Sequence, residues 1–383
     1  MKVTNDILYI GVNDHETDLF EGQYDIPNGI AYNSYVIMDE KIAVMDTVDK
    51  KKTDEFLANL ETALNGRTPD YVVVHHVEPD HASSLKAVMD KYPTAQIVTS
   101  DGAKKVLPLY HDLDMSKALI VKEGDKLELG KHTLQFIGAP MVHWPEVIMS
   151  YDATDKVLFS ADAFGKFGAL DFEEEWDCEA RRYYFNIVGK FGAQVQNVLK
   201  KASALDIQTI CPLHGPVLSE TIPHVLDLYN TWSSYGTETE GVFIAYVSMH
   251  GNTANVAEKM KEILLEKGCV KVAVTDMARE DHAEAVEDGF RYGKIILAAP
   301  SYNGGVMPIM GDYLHHLGLK NYQNKKIGFI ENGSWAPSAA RTMKATVGEW
   351  KNITMVEPHV TIRGALKESD TAALSALADE ILK

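Results

Sequence analysis

The chain has 383 residues, 45% of them hydrophobic and 24% charged, a globular usage that excludes disorder as the main state and leaves room for two or three domains. Asp and Glu number 55 against 37 Lys and Arg, a net charge of −18. A surface this acidic repels phosphate backbones and anionic lipid, which argues against nucleic-acid or membrane binding.

The three cysteines, Cys178, Cys211 and Cys269, form no CxxC pair; so sparse and odd a count excludes a disulfide framework and fits a reducing compartment. The N-terminal MKVTNDILYIGVND has no apolar signal core, and no apolar run approaches the ~18 residues of a membrane span. The expectation is a soluble, cytoplasmic protein.

In chain order, strands are predicted over 7–12, 35–38 and 42–46. The turn Asp39-Glu40-Lys41 joins the last two into a hairpin. A helix over 53–64 leads into a strand at 71–75, and another helix begins near Ala82. Strands at 96–99, 118–121, 134–137, 146–150 and 157–160 complete a strand-rich α/β unit with mixed sheets. The polar stretch 232–241, WSSYGTETEG, marks a boundary, giving domains of 1–235 and 241–383. Beyond it come a strand at 242–247 and a helix at 253–267 that carries Val256, Met260, Ile263 and Leu264 on one face. Strands at 270–274, 294–298, 326–330 and 353–356 alternate with further helices, the last over 370–382. Short apolar strands alternating with helices predict a doubly wound, five-stranded parallel sheet.

Two groups of residues carry chemistry. The first begins at His75-His76-Val77-Glu78-Pro79-Asp80-His81, between a buried strand and a helix, where α/β sites sit. In an extended segment His76, Glu78 and Asp80 share a face, and alternation turns His75 away into the core. His143, Asp162 and His214 each follow an apolar segment further on. With His81 these make seven ligand-type residues without sulfur, which excludes a structural zinc or iron–sulfur site. Seven donors exceed one tetrahedral ion. Three carboxylates nearly neutralise two divalent ions, and the mixed nitrogen and oxygen set suits iron or manganese, with zinc still permitted. His111, His132, His224, His282, His315, His316 and His359 have no comparable setting and are expected at the surface or in packing.

The second group is three loops at strand ends in the second domain. Ser248-Met249-His250-Gly251-Asn252-Thr253 opens a helix with hydroxyl and amide donors and a glycine, a phosphate cradle without the lysine of a P-loop. Pro300-Ser301-Tyr302-Asn303-Gly304 and Asn332-Gly333-Ser334-Trp335 supply backbone groups and aromatic walls, with Trp335 and then Tyr302 the best stacking candidates.

Together these features resemble the flavodiiron proteins. The first domain resembles a metallo-β-lactamase-like αββα sandwich, with Glu78 where zinc hydrolases of that fold carry His. The second resembles a flavodoxin-like FMN domain. The resemblance covers essentially the whole chain. It implies that His76, Glu78 and His143 hold one iron, that Asp80, His81 and His214 hold the other, and that Asp162 bridges them. It implies FMN on the three loops, and reduction of O2 to water, of NO to N2O, or both. It further implies a head-to-tail homodimer, or a dimer of dimers, fed by a separate small donor such as rubredoxin, since the cysteines are too few for an appended rubredoxin domain. Asn28 aligns where many relatives carry a His near the open face of the metals, and Tyr183 and Tyr184 are candidate proton sources. A zinc hydrolase fused to a flavodoxin-like module, or a non-catalytic flavin carrier, are the alternatives that iron and flavin analysis would separate.

Overall fold

A computed structural model describes residues 2–383. By packing, the chain divides into two compact units, the first running to Asn230 and the second from Thr231 to Lys383. The division falls inside the helix Ile222–Ser233, ahead of the polar stretch. That stretch is itself structured: the Trp232 indole donates to Glu238 Oε2 at 2.7 Å, and a strand starts at Thr239.

In the first unit, six strands line up in the order Ile7–Tyr9, Tyr35–Ile37, Ala43–Met45, Tyr71–Val73, Gln96–Thr99 and Leu119–Ile120. Five more form a second sheet in the order Lys126–Glu128, Thr133–Gly138, Ile148–Asp152, Val157–Phe159 and Thr209–Cys211. One core joins both sheets, with Tyr35, Ile37, Met45, Val73 and Val98 against Leu134, Phe136, Ile148, Val157 and Phe159. Residues of opposite parity, Val36, Val44 and Val72, are buried too, as expected for strands covered on both faces. Helix Thr53–Leu64 buries Phe56, Leu60 and Leu64, an i, i+4 stripe that can pack on a sheet. The result is the αββα sandwich.

The predicted strand at 7–12 is broken in two. Ile7–Tyr9 pairs with Tyr35–Ile37, whereas Val12–Asp14 pairs with Ile30–Tyr32 in a separate ribbon. Gly11 allows the change of partner, because a Cβ there would lie 2.5 Å from the Tyr32 carbonyl oxygen. A second ribbon, Leu19–Phe20 with Tyr24–Asp25, turns through Glu21 and Gly22, both at positive φ.

In the second unit the parallel strands run in the order Val272–Asp276, Thr239–Tyr246, Tyr292–Tyr302 and Lys326–Asn332. The fifth position is shared by Thr354–Met355 and Val360–Ile362, which both pair with Lys326–Asn332. Pro358, between them, has no N–H for a ladder and interrupts the strand. Gly305–Val306 adds a short antiparallel pairing at the end of the third strand. One sheet face packs Ile244, Ile296 and Ile330 on helices Asn252–Glu266 and Thr371–Leu382. The buried opposite parity, Phe243, Ile295, Leu297 and Phe329, serves helices on the other side. This is the doubly wound, flavodoxin-like sheet.

Candidate functional site

The metal-type residues all sit on segments that follow strands of the first unit. His76 follows Tyr71–Val73, His143 lies between Thr133–Gly138 and Ile148–Asp152, Asp162 follows Val157–Phe159, and His214 follows Thr209–Cys211. The expected extended face of His76, Glu78 and Asp80 is not formed throughout. Pro79 starts a short helix, Pro79–Ala82, because its fixed φ suits a first helical position. The helical turn sends Asp80 and His81 one way while His76 and Glu78 point another. Near the ligands, Met141, Ala161 and Phe164 adopt positive φ without being glycine. Such backbone costs about 1–3 kcal/mol each and persists where the surroundings impose it, often at functional sites.

Two adjoining pockets result. One gathers His76, Glu78, His143 and Asp162, and the other gathers Asp80, His81 and His214. In the first, Glu78 Oε2 lies 3.2 Å from His76 Nε2 and 3.0 Å from His143 Nε2. In the second, Asp80 Oδ2 lies 3.2 Å from both His81 Nε2 and His214 Nε2. Asp162 is shared. Its Oδ2 is 3.2 Å from His76 Nε2 and 3.1 Å from His143 Nε2. Its Oδ1 is 3.1 Å from His81 Nε2 and 3.7 Å from His214 Nε2.

In the first pocket Glu78 Oε2 is in hydrogen-bond contact with His76 and His143, but the atoms of the second converge without hydrogen-bonding geometry. Both carboxylate oxygens of Asp80, Oδ1 of Asp162, both ring nitrogens of His81 and Nε2 of His214 are buried with no hydrogen-bond partner. Buried polar atoms are ordinarily paired, so a cluster of orphans aimed at common points fits cations bound between them. The charges agree. Burial pushes the Asp80 carboxyl up to about 7, with the neighbouring Glu78 and Asp162 adding to the rise. Burial also disfavours ionised Asp162, yet His81 and His76 hold it well below the ordinary carboxylate range. His143 titrates the other way: burial opposes its charge, but Asp162 and Glu78 raise it to about 9.

A layer of second partners aims the imidazoles. His76 Nδ1–H donates to Glu146 Oε1 at 2.8 Å, and Val77 N–H donates to the same oxygen at 3.1 Å. His214 Nδ1–H donates to the Ala31 carbonyl at 2.8 Å. His75 faces away, its ring between Asp46 and Ser150 Oγ, as alternation predicted. Glu146 was missed in the sequence, although a carboxylate three positions after His143 is a readable signal for such support. His132 is buried between Asp152 and Asp6, a packing role.

A cleft of about 290 Å³ opens over the pockets, with Glu78 and Asp80 at its floor and Phe20, Glu21, Tyr32 and Lys51 among its walls. Asn28 does not line it. Its Nδ2 donates to Glu174 Oε2 at 2.7 Å, and Glu174 also pairs with Lys166, so the Asn28 amide is committed to holding a loop. The side chain presented over the opening is Glu21, which the sequence reading passed over; burial and then the Glu78 charge push its carboxyl up to about 7. Of the two tyrosines, Tyr183 lies with its ring tilted at 5.5 Å from the His214 ring, and its buried hydroxyl has no hydrogen-bond partner. Burial, then Asp162, Asp80 and Glu78, keep that hydroxyl protonated far above its usual range. Tyr184 instead packs on Phe185 and Tyr229, since successive helical residues cannot share a direction.

In the second unit a cleft of about 360 Å³ is lined by all three predicted loops. Ser248, Met249, His250, Asn252 and Thr253 form one side, Pro300 to Gly304 another, and Asn332 to Trp335 the third. Gly251 is not in the lining; at φ 83° it caps the following helix. Ser338 and Gly364 join the wall unforeseen. Ser301 Oγ accepts from the N–H groups of Ser338 and Ala339, and Asn332 exchanges two hydrogen bonds with Gly364. Ser248 Oγ is buried without a partner beside the helix start at Asn252, as an anion site requires. Trp335, 91% exposed, offers a bare aromatic face at the cleft.

Residues 30–215 match the model of the ODP family beta lactamase. The anaerobic nitric oxide reductase flavorubredoxin of Vibrio vulnificus is 30% identical over 90% of this chain and 72% of that protein. The chain belongs to the flavodiiron family. Two solved structures extend the likeness of this flavodiiron chain over both units. The rubredoxin oxygen:oxidoreductase of Desulfovibrio gigas has a TM-score of 0.92 at 25% identity, covering 100% of this chain and 97% of that one. The flavodiiron protein of Giardia intestinalis has a TM-score of 0.91 at 26% identity, covering 99% and 95%. Membership makes the chain an oxidoreductase. Among the described residues no helix is long and apolar enough to cross a membrane.

Proposed function

We propose that this flavodiiron protein reduces O2 to water, NO to N2O, or both, taking electrons from a separate carrier such as rubredoxin. The observation that carries the reading is Asp162, whose two oxygens face the two histidine pairs separately. A carboxylate so placed suits two metal ions held side by side. In this reading His76, Glu78 and His143 hold one iron, Asp80, His81 and His214 hold the other, and Asp162 spans them. Two irons and FMN, when bound, supply the electron transfer that the side chains lack.

The protein's own residues do the rest. Ser248, Asn252 and Thr253 hold the FMN phosphate, and Trp335 and Tyr302 flank its ring. The carboxylates Glu78, Asp80 and Asp162 offset the metal charge. Tyr183 keeps an O–H available as a hydrogen-bond donor beside His214, and Glu21 stands at the opening with a carboxyl able to hold or release a proton near neutral pH. Glu21 thus takes the position over the opening that was first expected of Asn28. We further propose a cytoplasmic, head-to-tail homodimer in which the flavin of one subunit serves the irons of its partner.

The names of the relatives support both gases, nitric oxide for the Vibrio protein and oxygen for that of Desulfovibrio. Anaerobic stopped-flow kinetics with each gas, on protein of known iron and FMN content and with reduced rubredoxin as donor, tests the proposal. Turnover of either gas dependent on both cofactors is expected. Fully loaded protein inert to both would defeat it.

A further inference from the structure

The two metal pockets offer the same first layer of donors, two histidines and one carboxylate each with Asp162 between them. Their second layers differ. Behind the first pocket stands Glu146. Its Oε1 accepts from His76 Nδ1–H at 2.8 Å, its Oε2 is buried without a hydrogen-bond partner, and its residue is 4% exposed. Behind the second pocket stands a neutral group, the Ala31 carbonyl, which accepts from His214 Nδ1–H. His81 Nδ1 is buried with no partner at all. On that side lies the buried Lys166, whose stem a Cβ on Gly215 would strike at 2.7 Å. It is paired with Glu174, so that side gains little net charge.

A carboxylate on the far nitrogen of a ligand imidazole pulls its proton and makes the near nitrogen a stronger donor. In a low-dielectric interior the anion itself also favours the more positive metal. The first effect acts on one pocket only, and the second falls off with distance, so it is stronger there than at the neighbouring pocket. We infer that Glu146 is a positioning residue that makes the two irons unequal, holding the iron at His76, Glu78 and His143 ferric to lower potential than its neighbour. The inference rests on the diiron reading above.

Its consequence is a fixed order of reduction. An iron held by Asp80, His81 and His214 would be reduced before one held beside Glu146. Glu146 therefore lowers the second couple more than the first, widening the window in which one iron is ferric and the other ferrous.

The test is a redox titration of the purified holoprotein by electron paramagnetic resonance, following the mixed-valent signal, with iron and FMN measured on each sample. In Glu146→Gln the second couple should rise by about tenfold in its equilibrium constant, about 59 mV for one electron, with a smaller rise in the first. The maximal mixed-valent signal should fall as the couples close up. If the Gln variant holds fewer than two irons, Glu146→Asp carries the test, because it keeps the charge but retracts it from His76 Nδ1; a smaller closing of the gap is then expected. Asp46→Asn removes a buried carboxylate bonded to His75, which is not a ligand candidate, and should move the couples less than the Glu146 variants do. A gap that widens, or couples unmoved in variants with two irons, would overturn the inference and leave the diiron reading intact. Wild-type protein that takes up no iron would overturn both.

Discussion

The two units build their sites by opposite means. In the first, the functional atoms belong to long side chains folded into the interior; His76, His81, Asp162 and His214 are all buried. In the second, they belong to loop tips and backbone, and Met249, Tyr302 and Trp335 remain exposed. A metal centre needs a few strong donors at short range and a dry shell, so the fold must bury them and accept the electrostatic cost. A flavin supplies its own large surface, so a half-built cleft suffices and the ligand completes the burial. One site is thus composed of residue identities, and the other of shape.

The sharpest way to break this contrast is Asp162→Asn. The amide loses the charge that balances two cations and cannot bridge them. Loss of most bound iron and of turnover is expected, with FMN content unchanged; elemental analysis beside flavin absorbance reads both. Normal iron content would remove Asp162 from the shared position.

A smaller effect is expected from ligand removal in the second unit. Because the cleft is preformed, stripping FMN should lower the melting temperature of that unit and spare the first. Restoring FMN at a hundredfold excess over its Kd should return about 2.7 kcal/mol. Differential scanning calorimetry resolves this if the units melt separately, and a shift confined to the first unit would contradict the cleft. Trp335→Ala tests the same surface more finely. The loss of one stacking contact should weaken FMN binding by about 1–3 kcal/mol, measured by fluorescence quenching, with iron content unaffected.

The last contrast is in pH. Lys325 is buried in the second unit, donating to the carbonyls of Phe290 and Tyr292, and burial depresses its ammonium to about 7. The unfolded chain then binds more protons than the folded one above that value, so stability rises from pH 7 toward 10, with a slope of at most about 1.4 kcal/mol per unit. His132, in the first unit, is raised by Asp152 against the opposing effect of burial. Its contribution is full below about 6.5, the unfolded value, and is lost as pH climbs through the folded one. Urea melts of Lys325→Met and His132→Gln at stepped pH should each remove one of these opposed slopes. Identical pH profiles for wild type and variants would show that neither group carries the linkage.

What the sequence disclosed follows the same contrast. Metal donors are few in kind, so His76-x-Glu78-x-Asp80-His81 with His143, Asp162 and His214 stood out, as did loops at strand ends. Partners chosen by tertiary contact left a weaker trace. Glu146 and His76 are far apart in the chain, and only folding brings them together. Asn28 aligns where relatives carry a His near the metals, but its amide is taken by Glu174, 146 positions away. Glu21 hid in a turn where φ is 50°, a conformation that Asn or Gly adopts more readily than Glu. Short strands such as Ile30–Tyr32 and Thr209–Cys211 are too brief for a periodicity to show. The fifth strand position of the second sheet was visible only in its first half, because Pro358 divides it.

The ties among the flavin loops carry a kinetic consequence. Ser301 caps the helix that begins at Ala339, Ser338 Oγ donates to the Gly305 carbonyl, and Asn332 clasps Gly364. The frame of the cleft is therefore latched by its own hydrogen bonds, and an incoming flavin has little backbone to order. Capture of FMN by the flavin-free chain should be governed by encounter, not by a slow rearrangement, so one subunit could lose and regain its flavin without refolding.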